Sequence, residues 1–177
     1  MPEQVVSEQF AEQHDDEGRA IAVKQELMMK GGGVFYLIIE REREDGQRER
    51  EVVAIENLIT DLGLDILVRN LVGISPVAVD YIVLSDSTTT PNPSETAMPA
   101  TIIAAAAATK SRPSARQVRW QVSWARGAVN GTIGSIGLCS DATGANLFAR
   151  VVLSPAKSVG ANDTVSVIYD LTLNRSS

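Results

Sequence analysis

Apolar and polar positions alternate most strictly from Val118 to Trp124. Val118, Trp120, Val122 and Trp124 point one way, and Arg119, Gln121 and Ser123 point the other. A period of two marks a strand with one buried face, so both tryptophans are expected to anchor one side of a core. The following run, Thr132 to Leu138, keeps a strand pattern but carries Gly131, Gly134 and Gly137 in or beside it. Such glycines predict a bulge, or close approach by a bulky neighbour such as those indoles. Asp141 to Gly144 has turn chemistry at both ends. Leu147 to Leu153 is apolar on both faces except for Arg150, the pattern of a central strand. Asp163 to Leu173 closes the set, with Val165, Val167, Tyr169, Leu171 and Leu173 on one face.

The first half of the chain is more varied. Val34 to Ile39 reads as an apolar strand that runs on into EREREDGQRERE, where charges alternate on both sides of an Asp-Gly pair. This is the pattern of a hairpin tip. A two-residue loop would oppose Glu42 with Glu49 and Arg41 with Arg50, and like charges directly opposite destabilise. A loop of Glu44, Asp45 and Gly46 instead opposes Glu42 with Arg48, Arg41 with Glu49 and Glu40 with Arg50. It also puts Gly46 at the left-handed position such loops require. The odd-length loop is therefore the expectation. Val52 to Ile55 returns to the core.

Between Thr60 and Gly73 the pattern is helical. Thr60 is the expected N-cap, Asp61 sits in the first turn and Gly73 ends the element. Asp61, Asp65 and Arg69 form one narrow polar stripe, and the rest, including Leu64, Leu67 and Leu71, is apolar. A helix of this kind is expected to be mostly buried, between its own sheet and a second subunit. Gly63 weakens it by roughly 1 kcal/mol relative to Ala, so tertiary contacts must compensate. Val79 to Ser85 reads as a strand and Ser85 to Pro99 as an exposed loop, whose Asp86 and Glu95 are the only candidate cation ligands there. Thr101 to Thr109 reads as a small-residue strand, and Lys110 to Ala115 as the turn into the tryptophan strand.

Residues 1–33 stand apart. They are acidic and rich in Gln and Glu, with no sustained apolar face, and end in three glycines that read as a hinge. The expected organisation is an N-terminal arm and glycine hinge over 1–33 and a β domain over 34–177. Three apolar anchors cannot order thirty residues, since each ordered residue costs about 1–2 kcal/mol of backbone entropy. The arm is thus expected to lie across a neighbouring subunit, with Phe10, Ile21 and Leu27 as anchors, helped by strand addition and by basic residues such as Arg112 or Arg126.

Composition narrows the chemistry. The 177 residues suffice for one domain with a real core plus an appendage. There is one cysteine, Cys139, and one histidine, His14 in the acidic leader. A disulfide, a cysteine cluster, a histidine metal site and a catalytic triad or Cys–His dyad within one chain are excluded. Cys139 is expected to be a small buried residue. No catalytic residue, cofactor or metal is expected, and the chain is read as non-enzymatic. No apolar run reaches the roughly 18 residues of a membrane span, and the start lacks the blocks of a signal peptide. Synthesis and assembly in a cytoplasm, without a membrane partner, are the expectation. Residues 1–100 hold 19 acids and 8 bases, a balance of −11, whereas residues 101–177 hold 3 acids and 8 bases, +5. The bases are scattered without interleaved aromatics, so no nucleic-acid partner is expected.

A resemblance to a known family rests on the last strands. GTIGSIGL, the turn, LFARVVLSPAKS and DTVSVIYDLTL resemble a β domain of tailed-bacteriophage virion proteins, especially tail-fibre and tail-collar-like proteins. Upstream, NLITDLG and YIVLSDSTTTPNPSETAM are similar to the helix and loop that precede those strands. The resemblance covers about Ile55 to Leu173, and Ser135 stands where the family usually has an acidic residue. It implies a mainly β fold, an antiparallel β-sandwich with one short buried helix, a charged hairpin and an extended arm. It further implies a structural subunit of a virion, at the tail or its fibre attachment as an adaptor or small fibre. The partners implied are further copies of the chain, with a trimer favoured, and other virion proteins of the baseplate, tail or capsid. Assembly would run through the arm and through Leu64, Leu67 and Leu71. The alternatives are a capsid decoration (cement) protein and a glycan-binding module.

Overall fold

The chain is a mainly β protein built from two packed antiparallel sheets and one helix. Its structure, a computed structural model, describes residues 32–42 and 46–173. The arm anchors Phe10, Ile21 and Leu27, and the single histidine, lie outside the described residues.

The strands are β1 (Gly32–Glu42), β2 (Arg48–Glu56), β3 (Leu58–Ile59), β4 (Tyr81–Ser85), β5 (Ile102–Ala107), β6 (Thr109–Ser114), β7 (Gln117–Trp124), β8 (Gly131–Cys139), β9 (Ala149–Val159) and β10 (Asp163–Thr172). One sheet has the order β2-β1-β10-β7-β6 and the other β3-β9-β8-β4-β5. At both sides of the sandwich the chain steps from one sheet to the other within a residue: at Asn57 between β2 and β3, and at Ala108 between β5 and β6. The inward face of the first sheet is the one read from its alternation. Phe35, Leu37 and Ile39 meet Val165, Val167 and Tyr169 and the row Trp120, Val122 and Trp124 in one core. The rings of Phe35 and Tyr169 lie 4.5 Å apart and those of Trp120 and Tyr169 5.6 Å apart, within the range of favourable aromatic pairs. Trp120 completes its burial by donating from Nε1 to the Val79 carbonyl at 2.8 Å.

The charged hairpin has the register that charge pairing demands. Glu40 faces Arg50, Arg41 faces Glu49 and Glu42 faces Arg48, and Gly46 has a φ of 78°. The glycines at the start of β1 do not form a hinge. Gly32 and Gly33 are part of the strand, opposite Thr172 and Leu171. A side chain at Gly33 would collide with the hydroxyl of Tyr169 and the amide of Asn57, so the position is small because the aromatic ring lies across it.

The helix, α1 (Asp61–Val72), is capped as its sequence requires. The Thr60 hydroxyl accepts from the Gly63 amide, Gly73 takes the left-handed conformation with a φ of 68°, and Asp65 pairs with Arg69 at 2.8 Å. Its glycine has a tertiary reason. A Cβ on Gly63 would strike the Phe148 carbonyl, so the helix axis approaches the chain just before β9 as only glycine permits.

Within the single chain the helix is only partly covered. Only Gly63 and Ile66 are buried in the domain, Leu64 and Leu67 are half-buried, and Leu71 is 76% exposed. An almost uniformly apolar helix cannot declare from its own sequence which side finds a partner within the chain. Lys110 to Ser114 is an exposed edge strand and not a turn, with a register shift between Ser111 and Ser114 that accommodates Pro113. Between the helix and β5, residues 86–101 are laid against the outer face of the second sheet and do not project freely. Met98 packs with Val83, Cys139 and Leu147 in a small second core. The neighbours of the β8 glycines are accordingly not the indoles. Gly137 is overlain by Met98, while Gly134 lies beside the carbonyls of Asp86 and Ser87 next to a register shift.

Candidate functional site

Two features of the described residues are built well enough to carry a role: a buried arginine under the loop, and an apolar groove at one end of the sandwich. Arg150 sits on β9, flanked by Leu58 on one side and Gly137 on the other, and is wholly buried. A buried charge must be paired and hydrogen-bonded. Glu95 supplies the counter-charge at 2.7 Å, and Ser87 Oγ, Thr89 Oγ1 and the Thr89 carbonyl accept at 2.9–3.2 Å. The one charge in the otherwise apolar run Leu147–Leu153 is therefore the pin that holds the loop to the sheet. Beside it the Ser85 and Ser135 hydroxyls share a buried hydrogen bond of 2.8 Å. Ser135 thus makes a neutral contact.

Asp86 and Glu95 do not form a cation site. Asp86 accepts from the Thr101 amide at 3.0 Å and Glu95 is spent on Arg150. No group of three or more metal-ligating side chains occurs among the described residues. Burial raises the Cys139 thiol far above its ordinary value, which keeps it protonated and unreactive.

The groove lies where the sandwich opens, at the end from which β1 starts and at which β10 finishes. Across the inner face of the first sheet Gly33 pairs with Leu171, and Leu171 with Val118. Leu171, Val118 and Leu173 form one wall, while Leu67, Leu71 and Val77 form the other, with Trp120 and Phe148 at the base. The space between them is about 360 Å³. Of the lining residues Leu71, Leu173 and Val118 are 76%, 45% and 37% exposed, and Val72 and Ile74, near Leu71 in the chain, are 60% and 66% exposed. Single exposed apolar residues are ordinary, but a contiguous patch around a cleft marks an interaction surface. The Asn70 side chain fixes the lip by bonding both the amide and the carbonyl of Val77, at 2.8 and 2.9 Å.

Of the residues read as assembly contacts, the structure brings Leu67 and Leu71 to this groove and leaves Leu64 half-buried on the helix away from it. Leu171, Leu173, Val118 and Trp120 were legible only as a buried strand face. Which end of that face stays uncovered depends on the strand order. At the opposite end, Glu40, Arg41, Glu42, Arg48, Arg126, Asn162 and Thr164 line a polar cleft of about 300 Å³. Arg126, read as a candidate partner for the arm, is bound within it to Glu42 at 2.7 Å and Asn162 at 3.2 Å. No helix is long and apolar enough to cross a membrane among the described residues. Comparison of the chain with protein-family models, with curated proteins and with solved structures gives no match.

Proposed function

We propose that the chain is a non-enzymatic structural subunit that assembles with copies of itself, and that its setting is the virion of a tailed bacteriophage, at the tail or its fibre attachment. The observation that carries the assembly reading is the apolar mouth of the groove. One face of the helix is locked into the core through Ile66, while Leu71 near its C-terminus stays exposed and lines the groove with Leu173. Desolvating each such side chain contributes about 1.5–3 kcal/mol. The virion setting rests on the resemblance of GTIGSIGL, LFARVVLSPAKS and DTVSVIYDLTL, which fall on β8, the approach to and body of β9, and β10. A glycan module is disfavoured, because Trp120 and Trp124 face the core and are not free to stack on a sugar.

Sedimentation of the full chain at micromolar concentration tests the assembly, with a trimer expected and a compact monomer overturning it. A mass-spectrometric inventory of separated phage heads and tails tests the setting. Recovery in tails supports the attachment role, recovery in heads moves the protein to capsid decoration, and absence from both removes the virion reading.

A further inference from the structure

The geometry points to an occupant for the apolar groove: the segment Ile21–Met28 of a neighbouring copy of this chain. The inference rests on the assembly reading and names its contact. Three observations meet here. The first is where the leader joins the domain. Gly32 is fixed opposite Thr172, so the chain enters β1 at the groove end, one inter-strand spacing (about 4.8 Å) from the strand that carries Leu171 and runs on into Leu173. The second is composition. Ile21, Val23, Leu27 and Met28 are the densest apolar group of the leader, and Met28 stands four residues before Gly32, about 13 Å of extended chain. The third is charge. Residues 1–31 hold seven acids and three bases, with Asp15, Asp16 and Glu17 just ahead of the apolar group. Beside Leu173, whose amide bonds the Arg116 carbonyl, β6 presents Arg112 and the β6–β7 turn Arg116, both exposed and neither in an ion pair among the described residues.

The neighbour, and not the same subunit, is favoured by the ladder of β1. Because Gly32 and Gly33 are held in the strand, a return onto the same domain would have to be completed within Met29, Lys30 and Gly31 before the apolar group begins. A chain continued along the β1 axis beyond Gly32 would run away from its own domain. A copy placed at that end would then receive it between Leu71 and Leu173, with its acids against Arg112 and Arg116.

Paired cysteines in the full chain test this directly. Leu71 is exposed, so Leu71→Cys leaves the core intact, and Cys139 is buried and inert to a mild oxidant. Leu27→Cys combined with Leu71→Cys is expected to form disulfide-linked multimers on a non-reducing gel, at least tenfold above Leu27→Cys combined with Thr164→Cys at the opposite end. Leu71→Glu in the otherwise unaltered chain should shift sedimentation towards the monomer by at least tenfold in concentration. Thiol loss with only monomeric product would show the leader in its own groove and overturn the assignment to a neighbour. Absence of the crosslink in a chain that still sediments as an oligomer would overturn the groove contact and leave the assembly reading standing. Absence of the crosslink in a monomeric chain would remove both.

Discussion

The two ends of the sandwich solve opposite problems. At the hairpin end β1, β2, β9 and β10 carry charge, and ion pairs match it inside the chain: Arg41 with Glu51 and Asp163, Arg126 with Glu42, Lys157 with Glu51 and Arg50 with Glu40. At the groove end Leu171 is buried, but Leu173, Val118 and, on the helix, Leu71 remain exposed. The first end is self-sufficient and content in water. The second buries its base under Trp120 but leaves its mouth to be desolvated by something else. The difference teaches where to look for association: an end whose charges are already paired gains little from a partner, and an end with exposed leucines gains much.

The contrast can be broken most forcefully at the base of the groove. Trp120→Ala removes the indole, its contact with Tyr169 and its bond to Val79, and should cost about 3–5 kcal/mol in denaturant titration. A loss under about 1 kcal/mol would mean that the groove has no rigid base. Gly63→Ala gives a test of sign. Helix propensity alone would make it stabilising by roughly 1 kcal/mol, whereas the collision with the Phe148 carbonyl makes it destabilising by about 1–3 kcal/mol. A gain in stability would show that helix and β9 are not in such close approach.

At the hairpin end the effects should be small. Arg126→Ala removes a half-exposed pair and should cost only about 0.2–1 kcal/mol, less at high salt. A cost above 2 kcal/mol would make that end a structural centre. The smallest signal is acid titration. Lys157, and then Arg41, hold the Glu51 carboxyl below its ordinary value despite partial burial. Its contribution is therefore present above about pH 4.3, the ordinary glutamate value, and declines as pH falls through the depressed folded value. Glu51→Gln should flatten the low-pH limb of the stability curve and leave stability above pH 6 little changed in its pH dependence. An unaltered limb would mean that the pairs with Lys157 and Arg41 are not maintained in solution.

Much of the fold was legible because the features concerned are local or repeat with a fixed period. The sign of each charge from Glu40 to Arg50 is enough to choose between registers, and the structure has the register with opposite signs facing. Thr60 and Gly73 declare the helix ends by chemistry that acts within one turn. The β8 glycines were legible as close approaches but not as approaches by what. Gly137 lies under Met98, and Gly33, read as part of a hinge, lies under Tyr169, partners distant in sequence. Arg150 could have been read further than it was, because one charge in an apolar strand must be buried and needs a counter-ion. The groove itself could not be read from the chain. Leu67 and Leu71 were visible as apolar helix positions, but their meeting with Val118 and Leu171 depends on β10 lying between β1 and β7.

The pairing of Gly32 with Thr172 also has a mechanical meaning. The backbone enters β1 and leaves β10 side by side on neighbouring antiparallel strands. A load applied between those two points would peel the ladder open one hydrogen bond after another, its weakest direction. A load entering at Gly32 and leaving through the β1–β2 tip would instead run along the strand axis and be shared by the bonds of β1 to both β2 and β10. A subunit held at opposite ends by its neighbours would resist tension far better than one tethered only by its two termini, so the way it is gripped would set its strength as much as its sequence does.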